Sequence, residues 1–417
     1  MPTDYCGKAD RRITMDKKAI LSGIKVLDLG QYIAGPYAAK LLADNGADVI
    51  KIEPPVDGDI SRKCGPFPND IPNREASGLF LTLNTSKKGI TLDITTEKGK
   101  ELLLRLVSKA DAVIENFKPK FLPALGLGYN AMSKVNPRLV VTSISNFGQS
   151  GPQRDWEATE IIFQATGGIM LLTGDPERSP LKIGIPLAQY ISGLTAFTST
   201  LAAIYHAQNT GEGQQVDVAI YEAISAIINE RSLAWAMDYP EKPLWGRTGD
   251  HRGPLFGIYQ CEDGFIGCSI NNFSEVKRLA EIISPDLDNE EKFGDYFWGY
   301  CSHADELEAI LVPWFFEHKK KEIMELAQGK NLAFSYVATT KEVVEDNIQL
   351  KKRGTLVELE HPIAGGHPYF IPCNRFSKAG YRMFPAPLLG QHNEEIFSNW
   401  LGLTKGDLQK LASDGVI

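Results

Sequence analysis

The chain has 417 residues, 43% of them hydrophobic and 23% charged, with a formal net charge of −8. This is an ordinary globular composition on a length beyond one usual core, so two domains are expected. The acidic balance excludes a general affinity for nucleic acid or anionic membrane, which need clustered Lys and Arg, while a local basic site for a small anion stays open.

Residues 1–22 form a polar leader without the apolar core of a signal peptide. No apolar run approaches the roughly 20 residues of a spanning helix, so a cytoplasmic protein is expected. "GIKVLDLG" (23–30) reads as a buried strand, "PYAAKLLADNGA" (36–47) as a helix closed by Gly46, and "DVIKIEP" (48–54) as a second strand. Such a βαβ unit implies a parallel, right-handed, doubly wound sheet. The pattern recurs as the helix "GKELLLRLVSKA" (99–110) before the strand "DAVIENF" (111–117), and "YNAMSKVNPRL" (129–139) before "VVTSISNFG" (140–148). From Leu187 to about His206 runs a long, mostly apolar helix; "QQVDVAIYEAISAIINERS" (214–232) is a strand entering another buried helix. A linker is expected at 240–250, a hairpin around Glu262, Asp263 and Gly264, acidic amphipathic helices to about Ile348, strands within 354–376 and a helical tail. The fold class is therefore α/β, with a large Rossmann-like domain at 23–239 and a smaller α+β domain at 240–350. The segment 351–417 returns to the first domain.

"LDLGQYIAGP" (27–36) lacks the GxGxxG spacing of a dinucleotide site, and no GxSxG elbow is present. Lys87 and Lys88 precede one strand, and Lys118 and Lys120 follow another. They are either phosphate-binding point charges or solvated turns. Glu160 opens a helix, as a dipole-stabilising residue or as a catalytic carboxylate. Cysteines at 6, 64, 261, 268, 301 and 373 form no CxxC pair, and the seven histidines form no HxxxH or HExxH cluster. No metal site is indicated, and the thiols are expected to be buried and free.

Six stretches in fixed order carry a family resemblance. They are "GIKVLDLGQYIAGPYAAKLLADNGADVIKIEPP", "LNTSKKGITLDITTEKGKELLLRLVSKADAVIENFKP", "LGLGYNAMSKVNPRLVVTSISNFGQSGP", "FQATGGIMLLTG", "YISGLTAFTSTLAAIYHAQNTGEGQQVDVAIYEA" and "APLLGQHNEEI". Covering nearly the whole chain, they resemble the family III CoA-transferases, the CaiB/BaiF group of carnitine and formyl-CoA transferases. The resemblance implies a large α/β domain with a small second domain, two chains interlocked as a dimer, and a CoA thioester as substrate with no permanently bound cofactor.

In that family an acyl group passes from CoA to an enzyme aspartate as a mixed anhydride, an enzyme–CoA thioester follows, and an acceptor acid takes the CoA. The slot of that aspartate holds Gln189 here, whose neutral amide is feebly nucleophilic. The resemblance also places Ile33, Leu92, Asp93, Ile94, Asn116, Phe117 and Lys118 at the CoA or active-site surface, and Glu160 near the catalytic slot. Pro54 stands where some members use an arginine against the adenine, and no glycine-loop counterpart lies between Gly264 and Glu275.

Gln189 makes this chain the expected nucleophile-free subunit of a heteromer, with the aspartate on a homologous partner. Succinyl-CoA:(R)-benzylsuccinate CoA-transferase of anaerobic toluene degradation is such an enzyme, with succinyl-CoA as donor and benzylsuccinate as acceptor. Three alternatives stand beside it: a homodimer using Glu160 as nucleophile, a homodimer whose natural aspartate in this slot has been exchanged for Gln189, and a binding or scaffolding protein without chemistry. The family's racemase branch needs a histidine that "DWEATE" (155–160) does not offer.

Overall fold

The computed structural model describes residues 18–174, 178–237 and 254–417; most of the polar leader and the whole expected linker at 240–250 lie outside the described residues. Six strands, β1 (Lys25–Asp28), β2 (Asp48–Glu53), β3 (Lys88–Thr91), β4 (Ala112–Glu115), β5 (Val140–Ser145) and β6 (Gln215–Ala219), form one parallel sheet in the order β3-β2-β1-β4-β5-β6. This is the doubly wound α/β arrangement that the recurring strand–helix pattern implies. β4 and β5 are buried along their whole length, as befits Val- and Ile-rich strands covered on both faces. Connections leave β1 toward β2 on one side and β4 toward β5 on the other. The strand order therefore reverses between β1 and β4, and in open sheets of this kind ligands bind outside the carboxyl ends of the strands at that point.

Local chemistry sets the helices. The Ala- and Leu-rich helix Ala34–Asp44 ends at Asn45, followed by Gly46 at φ +101°, where an added Cβ would lie 2.2 Å from the Ala19 methyl. Helix Glu97–Val107 starts where the Thr96 hydroxyl accepts the Gly99 amide at 3.0 Å. The long helix spans Leu187–Thr210 and stops at Gly211, φ +81°.

On one face of the sheet Leu27, Ile50, Ile90, Val113 and Val141 pack with Leu102, Leu103 and Leu106. The same core takes in Ile396, Phe397 and Leu401 of helix Asn393–Leu401. One compact unit thus comprises the chain up to Gly167, Ile183–Ile228 and Ile348–Ile417. Within it an antiparallel hairpin joins β10 (Leu356–His361) to β11 (Gly365–Phe370).

The second unit, Gly168–Lys182 with Asn229–Asn347, holds a three-stranded antiparallel sheet of β7 (Phe256–Cys261), β8 (Gly264–Ser269) and β9 (Ala333–Tyr336). Helices Phe273–Ala280, Ala304–Glu317 and Lys320–Gly329 supply its core, centred on Leu311, Phe315 and Phe334. Glu262 and Asp263 form the two-residue turn between β7 and β8. Cys261, Cys268 and Cys301 are buried free thiols, whereas Cys373 is exposed and Cys64 half-buried; Cys6 lies outside the described residues. Among the described residues no helix is long and apolar enough to cross a membrane.

Candidate active site

The carboxyl ends of β1 and β4 meet through one side chain. Asn116, just past β4, accepts the Gln31 amide at 2.7 Å and donates to the Gln31 carbonyl at 2.8 Å. A single carboxamide thereby bridges the two loops that follow β1 and β4. The loop after β1 then turns through Tyr32 at φ +68° into helix Ala34–Asp44.

That helix packs against the start of the long helix at a glycine. A Cβ on Gly193 would sit 2.8 Å from the Ala34 carbonyl oxygen and 2.9 Å from the Tyr37 ring, so only glycine permits the approach. Tyr37 and Tyr190 meet edge to face at 4.9 Å. Burial raises the phenols of Tyr32, Tyr37 and Tyr190 above their usual range, and the charges of Cys64 and Glu160 add to this at Tyr32. All three are therefore hydroxyl donors at neutral pH.

The first turn of the long helix has a proline, Pro186, at its N-cap and no side-chain cap of its own. Its exposed amides must find acceptors elsewhere. Leu187 donates to the Ile185 carbonyl at 2.9 Å and Tyr190 to Pro186 at 3.2 Å. Ala188 and Gln189 donate to the Glu160 carboxylate at 2.9 and 3.3 Å. Gln164, fully buried one turn after Glu160, donates to the same carboxylate at 2.7 Å and accepts the Ile183 amide at 2.8 Å. Glu160 thus caps the open amides at the start of a helix other than its own, and its carboxylate accepts from three donors. Both of its oxygens are engaged in these bonds.

Gln189, 9% exposed, occupies the third position of the helix, and its carboxamide has no hydrogen-bond partner among the described residues. This position accordingly carries no charge of its own, with the Glu160 carboxylate on its backbone amide.

The remaining residues expected at the site divide. Ile33, 1% exposed, is the N-cap of helix Ala34–Asp44, and Leu92 and Ile94 are core side chains at 2% and 8%, so these three leave only backbone for a ligand. Asp93 accepts the Thr95 amide and hydroxyl at 2.9 and 2.6 Å and organises the turn into helix Glu97–Val107. Phe117 packs on Phe121 at 4.7 Å. Lys118 is exposed and ion-paired with Glu157, and Lys120 with Asp155 at 2.7 Å. The structure therefore brings Glu160 and Gln189 together, and Asn116 to the β1 loop, while residues 92–94 lie at the end of β3, separated in the sheet from β1 by β2.

Lys87 departs from both sequence readings. It is neither solvated nor free for a phosphate: it is buried at the amino end of β3, 2.8 Å from the Asp28 carboxylate, and burial pushes its ammonium down to about 8. Lys88, beside it, pairs with Glu395 on the surface. Nothing in the residue order singles out Tyr32, Tyr37 and Tyr190, because aromatic residues at helical spacing read as core. Among the described residues no cluster of His, Cys, Asp and Glu could hold a metal ion.

A family model described as CoA-transferase family III matches residues 21–393. The succinyl-CoA–D-citramalate CoA-transferase of Chloroflexus aurantiacus is 33% identical, covering 95% of this chain and 98% of its own. The succinyl-CoA–L-malate CoA-transferase beta subunit of the same organism is 30% identical, with coverage of 95% and 98%. Among solved structures, a CAIB/BAIF family protein from Brucella suis matches with a TM-score of 0.82 at 28% identity, over 92% of this chain and 100% of that one.

Proposed function

The chain belongs to the family III CoA-transferases, whose substrates are CoA thioesters, and on that footing we propose that it is the nucleophile-free subunit of a paired enzyme. What supports this reading is the side chain at the position that the resemblance assigns to the catalytic aspartate. Gln189 offers a neutral carboxamide, and the adjacent carboxylate, Glu160, is committed to the amides of Ala188 and Gln189. The covalent route needs a carboxylate free to attack an acyl carbon, expel CoA thiolate and become a mixed anhydride. A homologous partner bearing aspartate in the corresponding position supplies it, interlocked with this chain.

The donor we assign is succinyl-CoA, supported by the names of the two Chloroflexus relatives, one of which is itself called a beta subunit. Their named acceptors, D-citramalate and L-malate, are dicarboxylic acids, as is benzylsuccinate, so the acceptor class is a substituted dicarboxylate. CoA moves from one acid to the other without net hydrolysis.

The test is CoA exchange between succinyl-CoA and a panel of dicarboxylates, followed by mass spectrometry, with this chain alone, with an aspartate-bearing homologous chain, and with Gln189→Asp alone. Turnover only in the mixed complex supports pairing. Robust transfer by Gln189→Asp without any partner overturns it and makes the chain a homodimeric transferase with a substituted aspartate.

A further inference from the structure

Beneath the loop after β1 lies a closed set of four charges: Asp28, Lys51 and Asp59 are 0% exposed and Lys87 is 4%. Lys51 pairs with Asp59 at 2.6 Å, Lys87 with Asp28 at 2.8 Å, and Lys51 lies 3.9 Å from Asp28. Despite the burial that works against its charge, the neighbouring carboxylates of Asp28, Asp59 and Glu53 keep the Lys51 ammonium above its ordinary range. Two positive and two negative groups thus neutralise one another in the interior.

Most of their remaining hydrogen-bonding capacity goes to one short backbone stretch. Asp28 accepts the Gly30 amide at 2.9 Å, and Lys51 donates to the Gly30 carbonyl. Asp59 accepts the Tyr32 amide at 3.0 Å. Lys87 donates to the Pro36 carbonyl at 2.8 Å. The backbone from Gly30 to Pro36 is pinned at four points. Between the pins Tyr32 holds φ +68°, a left-handed conformation that a residue with a β-carbon adopts only when its surroundings impose it.

Asp59 is itself fixed from behind. Its amide donates to Glu53 at 2.8 Å, and Glu53 is held bidentately by Arg62 at 2.7 and 2.8 Å. Arg62 in turn reaches Glu75 at 2.8 Å and the Pro387 carbonyl at 3.2 Å, with its guanidinium 3.6 Å over the Phe80 ring. Ion pairs this deeply buried add little stability over well-packed apolar groups, because desolvation offsets their attraction. What they do provide is a fixed geometry, delivered here to the loop that borders Glu160 and the Tyr37–Tyr190 contact.

We propose that Asp59 is a positioning residue for CoA transfer: it holds Tyr32 left-handed and so sets the β1 loop against the start of the long helix, with Lys51 as its counter-charge. This rests on the transferase reading above. Asp59 touches no substrate; it acts through the Tyr32 amide.

The test compares two double variants of this chain, assembled with the partner subunit. Lys51→Met with Asp59→Asn and Lys51→Met with Asp59→Ala both remove both charges, so neither leaves a buried ion unpaired. Asparagine keeps an acceptor for the Tyr32 amide; alanine does not. The expected result is a kcat/KM for succinyl-CoA at least about tenfold lower in the alanine variant than in the asparagine variant, the scale expected of a displaced positioning element. Amide exchange at residues 31–33 should be faster in the alanine variant alone. Equal kcat/KM and equal exchange in the two variants would overturn the proposal. If the unmodified complex transfers no CoA, the transferase pairing is what fails. The exchange comparison still decides about Asp59: faster exchange in the alanine variant supports its hold on Tyr32, and unchanged exchange ends the proposal.

Discussion

Glu160 and Gln189 meet through a backbone amide, not through their side chains: the Glu160 carboxylate receives the Gln189 N–H at 3.3 Å and the Ala188 N–H at 2.9 Å. Glu160 therefore completes a helix whose own N-cap is a proline. Glu160→Ala should cost about 1 kcal/mol of stability, the usual value of a lost cap, and Glu160→Gln less, because an acceptor oxygen remains. Urea unfolding and amide exchange at residues 187–189 measure this. In the paired complex Glu160→Gln should retain most of its turnover. Complete loss of acyl transfer in that variant, with the fold intact, would make Glu160 the attacking group instead.

Gly193 marks the closest approach of the long helix to helix Ala34–Asp44. Gly193→Ala forces a methyl to within 2.8 Å of the Ala34 carbonyl and 2.9 Å of Tyr37. Separating the two helices should cost roughly 1–3 kcal/mol, the range for overpacked interiors. The Tyr37–Tyr190 contact should open with it, and near-ultraviolet circular dichroism reads the tyrosine environment directly.

Burial pushes the Glu115 carboxyl, at the end of β4, up from 4.5 to about 7, against the opposing hydrogen bonds from Ser143 and the Phe117 amide. Between those values the folded chain keeps a proton that the unfolded chain has released. Stability from this group is therefore fully present below about pH 4.5 and is lost as pH rises through about 7, by on the order of 3 kcal/mol. Glu115→Gln should remove this decline, and unfolding curves collected across pH 5 to pH 8 would show a flatter profile for the variant.

Arg62 is the hub that joins Glu53, Glu75 and the Pro387 carbonyl in a buried setting. Arg62→Met leaves the Glu53 carboxylate buried without its cation and should cost about 3–5 kcal/mol. Arg62→Lys keeps the charge but cannot make the two-pronged bond, so it should fall between that variant and the native chain. Chemical denaturation ranks the three.

Elements built from local chemistry were legible in the residues alone. The βαβ pattern, the helix closed at Gly46 and the long helix from Leu187 all rest on spacings within a few residues, and they imply a parallel sheet, whereas its strand order comes from the structure. What could not be read depends on partners distant in sequence. Lys87 pairs with Asp28, 59 positions away, and Asp59 reaches Tyr32 across 27. Glu160 caps a helix 28 residues further on. A lysine before a strand looks the same in sequence whether water or a buried carboxylate awaits it. Asn116 illustrates the middle case: its loop drew attention, but its two bonds to Gln31 depend on β4 lying beside β1.

The end of the chain is stitched into the core of its beginning: the Asp93 amide donates to the Val416 carbonyl at 2.8 Å, and Ile396, Phe397 and Leu401 complete the packing around strands made from the first third of the sequence. During synthesis those strands emerge long before their last neighbours exist. At roughly 5–20 residues per second the interval is on the order of tens of seconds. Through that time helix Glu97–Val107 covers this face of the sheet without its last partners, and the part of the core that Ile396, Phe397 and Leu401 fill stays open until translation is nearly finished.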